Sequence, residues 1–582
     1  MKIKTKENFL LIIILAVGFF FRTYNLNWDQ GYHQHPDERA IVMTVSALKF
    51  PSSFANFFSP ESSWNPHFFA YGSLPFYLLR MTGDLIGYFD QAFAYYDKIN
   101  LVGRVISAIA DIGTLLLIYL FGKKLFNRTV GVLGAFLYAI SVLPIQLSHF
   151  YAVDTLLTFF IILTLYSLIR FYENPTIVRS LTLGLFFGAA LATKISATVL
   201  LAAIGSALTA DFLLIFIKAP HKPTHWFPHL PRFLKDLISD GIVLALTTVG
   251  AFIFFAPYAA IDFNNFWRQT IEQSHMTKSA FTFPYTLQYV GKAPYIYELK
   301  NIFFWGLGPA QATLAFLGAL YFTFLASRKY IHLGNNHDSS EVEKRRAKEI
   351  ILVVFFWTYF FVVGKFAIGF MRYMLPLYPL LCLFAAVFIY RLHYLVRQYI
   401  KTKLFFIFHF SFLILILVWP LSFMSIYDKP NTRTTATQWI HKNIPDGSTL
   451  ALEHWDDALP IKGIEKYKIK SLSLYDPDTQ EKWNRINQQL VQTDYIIIAS
   501  NRLSTPLQKL TNCEKLPPDR CYKKTAEYYK KLFNGALGFA KTAEFTNYPT
   551  FPFTNLQVND QNADESFTVY DHPKIIIFKR GK

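Results

Sequence analysis

The sequence lacks most of the motifs that mark soluble enzymes. Only three of its 582 residues are cysteines, which are too few for a disulfide scaffold. No Walker, dinucleotide or zinc-finger spacing occurs, and no internal repeat or low-complexity tract stands out. The sequence therefore gives no support for nucleotide or zinc-finger chemistry, or for a repeat architecture.

The three cysteines have different expected roles. Cys382 lies in an apolar run, where a thiol most often serves packing. Cys513 and Cys521 lie near the C-terminus, in a part expected outside the cytoplasm. A disulfide between them and two free thiols both fit the sequence.

Acidic residues are also scarce, with 39 Asp and Glu against 57 Lys and Arg, a net charge of +18. The excess basic residues lie in alternate loops: 2–6, 123–128, 170–179, 218–235, 328–348 and 391–403. Basic loops stay in the cytoplasm, so this alternation predicts a cytoplasmic N-terminus and an extracytoplasmic C-terminus. Because the loops account for much of the charge, we expect no nucleic-acid partner.

Apolar residues are abundant: 53% of the chain is hydrophobic and 18% is aromatic. Apolar runs predict about eleven membrane-spanning helices. They cover residues 9–24, 101–121, 130–146, 153–168, 181–193, 195–217, 238–260, 302–325, 350–363, 373–390 and 404–426, of which 181–193 and 350–363 are short. The first run could be a signal peptide, but Phe20 to Tyr24 offer no small-residue cleavage site, which favours a retained anchor.

The segments between and after these runs predict further structure outside the membrane. In the first outer loop, 25–100, the interrupted apolar stretches 40–50 and 74–88 suit helices that lie in the membrane plane. The aromatic loop 262–301 suits either an interfacial belt or a sugar-binding cleft.

From residue 428 onward the composition becomes that of a soluble α/β domain. Strands are predicted at 449–454, 469–474, 495–499, 566–570 and 574–578, and helices at 436–443, 479–492 and 525–533. We therefore predict a transmembrane domain, 1–427, and an extracytoplasmic domain, 428–582.

Most of the unusual polar residues fall on the outer side of this topology: His35, Asp37, Glu38, His67, Arg104, His149, Asp154, Lys194, Lys365 and Arg372. Ionisable residues at membrane helix ends favour a functional site. Asp37, with Glu38 adjacent, is the candidate general base, because a shielded carboxylate near another acid can keep a raised pKa. The alternative is that both acids cap the helix that starts near Pro36.

Asp154 could hold a divalent cation with Glu38 or His149, or could be an acid at a helix N-terminus. Lys194 could meet the phosphate of a lipid, although snorkelling to headgroups is the commoner role of a single Lys. Arg104 and Arg372 favour phosphate binding, because a guanidinium binds phosphate oxygens in pairs.

Several of these motifs together resemble a known family. They are His35-Pro36-Asp37-Glu38, Asn65-Pro66-His67 with 72–77, 149–154, 184–194, 294–308 and Arg372-Tyr373-Met374-Leu375-Pro376. The set resembles the GT-C type of lipid-carrier-dependent glycosyltransferases, close to the protein O-mannosyltransferases and the bacterial aminoarabinose transferases. Segments 432–460 and 565–578 resemble the tails of prokaryotic members with no assigned acceptor.

The resemblance implies transfer of a sugar from a polyprenyl-phosphate donor to a hydroxyl of a glycan, lipid or protein, with inversion, in the plasma membrane of a prokaryote. It places Asp37 as the base with Glu38 beside it, and Arg104, Lys194 and Arg372 at the donor phosphate. It places Asp154 with His149 and Glu38 at a metal or substrate, and His35 and His67 in the pocket. The large inserted domain of eukaryotic mannosyltransferases is missing, which puts a protein acceptor in doubt.

Two other functions remain open from the sequence. A transporter or lipid flippase with an accessory outer domain would place its ionisable residues near the midplane of repeated, broken helices. A non-catalytic glycolipid-binding protein is the third possibility.

Overall fold

The computed structural model describes residues 2–218, 230–331, 340–398 and 402–581. Parts of three basic loops, including Lys222 and Lys401, lie outside the described residues. The chain up to residue 424 is helical, and a five-stranded sheet with flanking helices follows. This confirms the predicted class, a polytopic helical membrane protein with a C-terminal α/β part.

The helices of the first part are α1 Lys2–Thr23, α2 Pro36–Ala47, α3 Leu74–Gly87, α4 Ile99–Leu125, α5 Arg128–Ala139, α6 Val142–Ser148, α7 Asp154–Glu173, α8 Ile177–Thr193, α9 Leu200–Lys218, α10 Leu230–Phe255, α11 Phe263–Lys278, α12 Ile296–Asn301, α13 Pro309–Ile331, α14 Ser340–Gly364, α15 Tyr378–Arg397 and α16 Thr402–Met424. Single turns lie at Phe54–Phe57 and Tyr258–Ile261. In the first outer loop, α2 and α3 form where helices are predicted.

Within the described residues, seven helical segments are long and apolar enough to cross a membrane, or eight if a bent pair counts as one span. Three shorter apolar helices, Asn8–Thr23, Ile177–Thr193 and Ile195–Thr209, coincide with further predicted spans. The count of about eleven therefore stays a prediction.

The predicted span over 130–146 is broken, because α5 and α6 meet at a bend of 60°. Pro144 explains the break. It has no N–H to donate to the carbonyl of Ile140, and its ring excludes that carbonyl from a continuous helix.

The C-terminal part contains helices α17 Thr432–Asn443, α18 Gln480–Val491 and α19 Lys523–Phe533, with single turns at Ser504–Leu507 and Glu565–Thr568. Its strands are β1 Thr449–Glu453, β2 Lys468–Leu472, β3 Tyr495–Ile498, β4 Phe539–Phe545 and β5 Ile575–Arg580. The sheet order is β2-β1-β3-β5-β4, with β1 parallel to β2 and β3, and β5 antiparallel to β3 and β4. A disulfide joins Cys513 to Cys521, and Cys382 is buried and free.

One strand assignment from the sequence is wrong, and one strand is missed. The run 566–570 is part of a helical turn, because Asp564 accepts a hydrogen bond from the Ser566 N–H and so caps it. The strand β4 is missed because it is an edge strand whose Ala and Lys residues carry little strand propensity.

The segment around this turn packs into the membrane part. Phe567 and Tyr570 belong to the same buried cluster as Tyr427 and the membrane helices. The Gln146 side chain donates to the carbonyl of Phe567 at 2.7 Å. The division at residues 427 and 428 stays a prediction, since the two parts share this core.

Candidate functional site

The start of α2 determines where the two candidate acids point. Pro36 occupies the first turn, and the His35 Nδ1 accepts a hydrogen bond from the Glu38 N–H at 3.3 Å. Pro fits a helix start because its missing N–H would have no partner there. His35 thus caps the helix, and Asp37 and Glu38 follow it in the first turn.

Glu38 turns into the protein interior and binds Arg104. The Arg104 Nη2 lies 2.6 Å from Glu38 Oε1 and 2.8 Å from Asp29 Oδ2, and the Tyr151 N–H donates to Glu38 Oε2 at 2.7 Å. All three charged side chains are fully buried. We therefore correct two predictions. Glu38 cannot reach a substrate from this position to act in catalysis. Arg104 cannot reach a substrate phosphate from it. Both hold α2 in place.

Asp37 turns the other way, into a cavity of about 1920 Å³. There the Arg372 Nη2 lies 2.9 Å from Asp37 Oδ2, and the Arg372 Nε lies 3.5 Å from Asp154 Oδ2. The Lys194 ammonium donates to Asp154 Oδ1 at 2.9 Å. The structure thus brings four predicted site residues into one chain of alternating charge.

A close backbone contact places the first outer loop against the end of α8. The Gly72 N–H donates to the Thr193 carbonyl at 3.0 Å, and a Cβ at Gly72 would lie 1.9 Å from the Ala192 carbonyl oxygen. Only glycine fits this approach. It sets Tyr71 and Lys194, the neighbours of the two contact residues, on the cavity wall.

The surroundings of Asp37 lower its pKa instead of raising it. Burial opposes the charged form, but the positive charge of Arg372 and a hydrogen bond from Tyr71 outweigh it, so the pKa lies below the ordinary 3.8. The raised pKa expected from the sequence is therefore wrong. Asp37 is a carboxylate at neutral pH and can accept a proton.

Neither the two predicted pocket histidines, His35 and His67, nor His149 lines the cavity. The buried His35 ring packs on Tyr570 with centroids 4.0 Å apart, and burial lowers its pKa to about 3. His67 lies half-exposed beside Asp262, with Nδ1 and Oδ2 3.6 Å apart.

His149 is buried in the interior, and its two ring nitrogens lie 2.9 Å from the carbonyls of Ile145 and Tyr24. With both nitrogens engaged and Glu38 bound to Arg104, the structure does not bring Asp154, His149 and Glu38 together. The described ranges contain no group of three or more His, Cys, Asp or Glu suited to a metal. Asp37 and Asp154 already face Arg372 and Lys194, so these residues do not fit a divalent cation.

The cavity has two kinds of wall. The end of α14 contributes an apolar face that includes Val353, Trp357 and Phe361. The C-terminal part contributes Trp455 and Arg502 on the other side. The cavity therefore joins an apolar groove to a polar chamber.

Sequence reasoning missed the outer wall of this chamber, which consists of Trp455, Asp456, Asp457, Arg502, Glu565 and Tyr570. Arg39 on α2 links to it, with Nη2 3.2 Å from Asp457 Oδ1. The available signals were the position of Arg39, two residues after Asp37, and the family-like segments 432–460 and 565–578, which contain most of this wall. The partner of Arg39 lies more than four hundred residues away, a separation that local patterns do not bridge.

Two lysines on the cavity wall carry unpaired charge. Lys278 and Lys365 both line the cavity, and neither has an ion-pair partner in the part of the chain that the structure describes. The Ala367 N–H donates to the Thr277 carbonyl at 2.7 Å, which brings the two lysine-bearing segments side by side.

Comparison with known families gives one match. Residues 88–230 match the family model of the dolichyl-phosphate-mannose-protein mannosyltransferases. The predicted resemblance is confirmed. The match includes Asp154 and Lys194 but not Asp37 or Arg372. The chain is thus similar to enzymes of the glycosyltransferase class, as the sequence predicts.

Comparison with curated protein sequences gives no match.

Among solved structures, the apo oligosaccharyltransferase of Archaeoglobus fulgidus gives a TM-score of 0.49 at 13% identity, over 95% of this chain and 75% of that one. ArnT from Cupriavidus metallidurans, bound to undecaprenyl phosphate, gives 0.45 at 12% identity, over 84% and 92%. The S. cerevisiae protein O-mannosyltransferase Pmt1-Pmt2 complex, bound to the sugar donor, gives 0.32 at 16% identity, over 45% and 34%.

Proposed function

We propose that the protein transfers a sugar from a polyprenyl-phosphate donor to a hydroxyl acceptor at the outer membrane face, with inversion at the anomeric carbon. The observation that carries the proposal is Asp37, an ionised carboxylate beside Arg372 in a cavity that is apolar along one wall. A base, a phosphate-binding cation and a lipid groove are the three parts that this reaction needs.

The walls of the cavity suit the two ends of such a donor. The apolar face of α14, with Trp357 and Phe361, would hold the polyprenyl chain. Arg372 would bind the phosphate at the polar end, and Lys278 and Lys365 would neutralise its remaining charge. Because Arg372 and Lys194 are already neutralised by acids, these lysines supply the positive charge that the phosphate requires.

The transfer step uses Asp37 as its base. The acceptor oxygen attacks the anomeric carbon while its proton passes to an Asp37 carboxylate oxygen. The bond from the anomeric carbon to the phosphate oxygen breaks, and the phosphate leaves with the electron pair toward Arg372. Attack opposite the leaving phosphate inverts the anomeric configuration.

The decisive experiment uses the purified full-length protein and a panel of polyprenyl-phosphate sugars. We expect one of these donors to be consumed, with release of the polyprenyl phosphate, and only when Asp37 is intact. Binding of the lipids with no consumption of any donor by the parent protein would instead favour a transporter or a glycolipid-binding protein.

Replacing Arg372 by Lys keeps the charge but loses the paired N–H groups. We expect weaker binding of the polyprenyl-phosphate donor by about tenfold and slower transfer, because a Lys cannot bind two phosphate oxygens at once. The control is Arg268→Lys, an exposed arginine paired with Glu272 that does not line the cavity. Equal donor affinity in both variants would remove Arg372 from the phosphate site.

The pH dependence of transfer follows from the lowered pKa of Asp37. A base with a lowered pKa is active above that pKa and loses activity as the pH falls through it. We therefore expect the acidic decline of kcat/KM from Asp37 to lie below pH 3.8, the ordinary value. A decline centred above about pH 5, with thermal stability unchanged over that range, would show that Asp37 is not the base.

We also propose the orientation in which the site faces the outside of a prokaryotic plasma membrane, with the N-terminus in the cytoplasm. A reporter fused after Lys582 is expected to read extracytoplasmic, and one inserted in the 328–348 loop is expected to read cytoplasmic. Both reporters on the same side would contradict this orientation.

A further inference from the structure

A short turn in the C-terminal part, residues 549–558, presents apolar side chains to the surroundings. Phe553 is fully exposed and Leu556 is 66% exposed. The turn is closed by two backbone hydrogen bonds, from the Phe551 N–H to the Leu556 carbonyl and from the Val558 N–H to the Pro549 carbonyl, both 2.8 Å. These bonds define the turn and leave Phe553 and Leu556 outside it.

The base of the turn is attached to the end of the last membrane helix, α16. The Thr550 N–H donates to the Ser422 carbonyl at 3.2 Å and to the Ser425 hydroxyl at 2.9 Å. Leu421, next to Ser422, is 39% exposed on a helix whose outward face is apolar. Leu421 lies within the predicted span 404–426, so we expect lipid to reach the attachment point.

The composition of the turn fits the same surroundings. Between Glu544 and Asp560 no residue carries a charge, and the segment contains Phe551, Phe553 and Leu556. Aromatic and aliphatic side chains without nearby charge favour the boundary between lipid headgroups and acyl chains. Phe553 has a φ of 60°, which is an unfavourable backbone conformation for a bulky residue. Exposure to water would not offset this cost of a phenylalanine at this position.

We propose that Phe553 and Leu556 insert into the bilayer leaflet at which α16 ends, and that this turn anchors the C-terminal part to the membrane. The partner is the lipid of the protein's own membrane. The inference is independent of the proposed transfer reaction, because it rests on the exposed turn and its attachment to α16.

The anchor lies close in sequence to the cavity wall. After the turn, the chain reaches Glu565 and Tyr570, which line the cavity, and Phe567, which packs in the membrane core. A bilayer contact at Phe553 would therefore fix the position of the outer cavity wall relative to the membrane surface.

The test uses the full-length protein with Phe553→Cys, labelled with an environment-sensitive fluorophore and reconstituted in nanodiscs of phosphatidylcholine and phosphatidylglycerol. The introduced thiol is the reactive one, because Cys382 is buried and Cys513 is bonded to Cys521. Leu415→Cys, exposed on α16, is the lipid-facing control.

Val491→Cys is the matched water-facing control. Val491 is exposed, and Arg580 at the far end of β5 binds the carbonyl of its neighbour Leu490. His572, which packs on Phe423 of α16, precedes the other end of β5, so about a strand length separates Val491 from this membrane-helix contact.

We expect the label at residue 553 to emit at shorter wavelength than the label at 491. Nitroxide lipids are expected to quench it at least about twofold more strongly than the label at 491, approaching the value at 415. Equal quenching of the labels at 553 and 491 would show that the turn 549–558 lies in water. An apolar emission at 553 without lipid quenching would show a protein contact, such as a second copy of the chain. Either outcome overturns the proposal, and neither depends on whether the protein transfers sugar.

Discussion

The Asp37→Asn protein is expected to bind the polyprenyl-phosphate donor but to transfer its sugar about two to four orders of magnitude more slowly, the range for loss of a general base. Asn preserves the size of the side chain but cannot take the proton of the attacking hydroxyl. Donor binding should survive or strengthen, because the substitution releases Arg372 from its 2.9 Å ion pair and leaves its charge free for the phosphate.

In the structure Asp37 does not cap α2, so loss of a helix cap would not explain a loss of activity in Asp37→Asn. The side chain that caps α2 is His35, which accepts the Glu38 N–H, so Asp37→Asn should leave the helix start intact. Asp90→Asn is the matched control, because Asp90 is an exposed acid of the same outer loop that does not line the cavity. Turnover within a few-fold of the parent, measured on folded protein that binds donor, would exclude Asp37 as the base.

Removing the Arg104 side chain should cause the largest loss of stability. Arg104→Ala leaves the fully buried carboxylates of Asp29 and Glu38 without their cation. Breaking a buried ion pair by removing one partner costs about 3–5 kcal/mol, because the remaining charge has neither water nor a counter-ion. We expect a clear fall of the thermal unfolding temperature in detergent and a low yield of folded protein.

The same variant separates a structural role of Arg104 from phosphate binding. The triple variant Asp29→Asn, Glu38→Gln and Arg104→Gln removes all three charges and should recover part of the stability lost in Arg104→Ala. The folded fraction of either protein should bind the polyprenyl-phosphate donor with nearly the affinity of the parent. Parent-like thermal stability of Arg104→Ala, with greatly weakened donor binding, would restore the phosphate role predicted from the sequence.

The sequence predicts the membrane helices and the general position of the site well, because both depend on local composition. Apolar runs set the spans, and the predicted common side of Asp37, Asp154, Lys194 and Arg372 agrees with their meeting in one cavity. The sequence does not predict that the side chains of two adjacent residues point in different directions. Asp37 and Glu38 have the same charge and similar size, but the helical turn points one into the cavity and the other at Arg104.

The pKa of Asp37 shows a second limit. The sequence suggests shielding by apolar surroundings, which would raise the pKa, but it does not reveal that Arg372 lies 2.9 Å away. Contacts over long separations, such as Arg39 with Asp457, are equally invisible to local patterns. The strand β4 was missed for a related reason, since it is an edge strand whose place depends on pairing with β5.

The position of β5 in the sheet has a consequence for the synthesis of the protein. This strand contains some of the last residues of the described chain, yet it lies between β3 and β4 and follows the segment that packs into the membrane core. The outer wall of the cavity therefore cannot be completed until the chain through Tyr570 has been synthesised. A nascent chain arrested shortly before Glu565 would have its helices inserted and Asp37 in place, but would lack the part of the chamber formed by Glu565 and Tyr570.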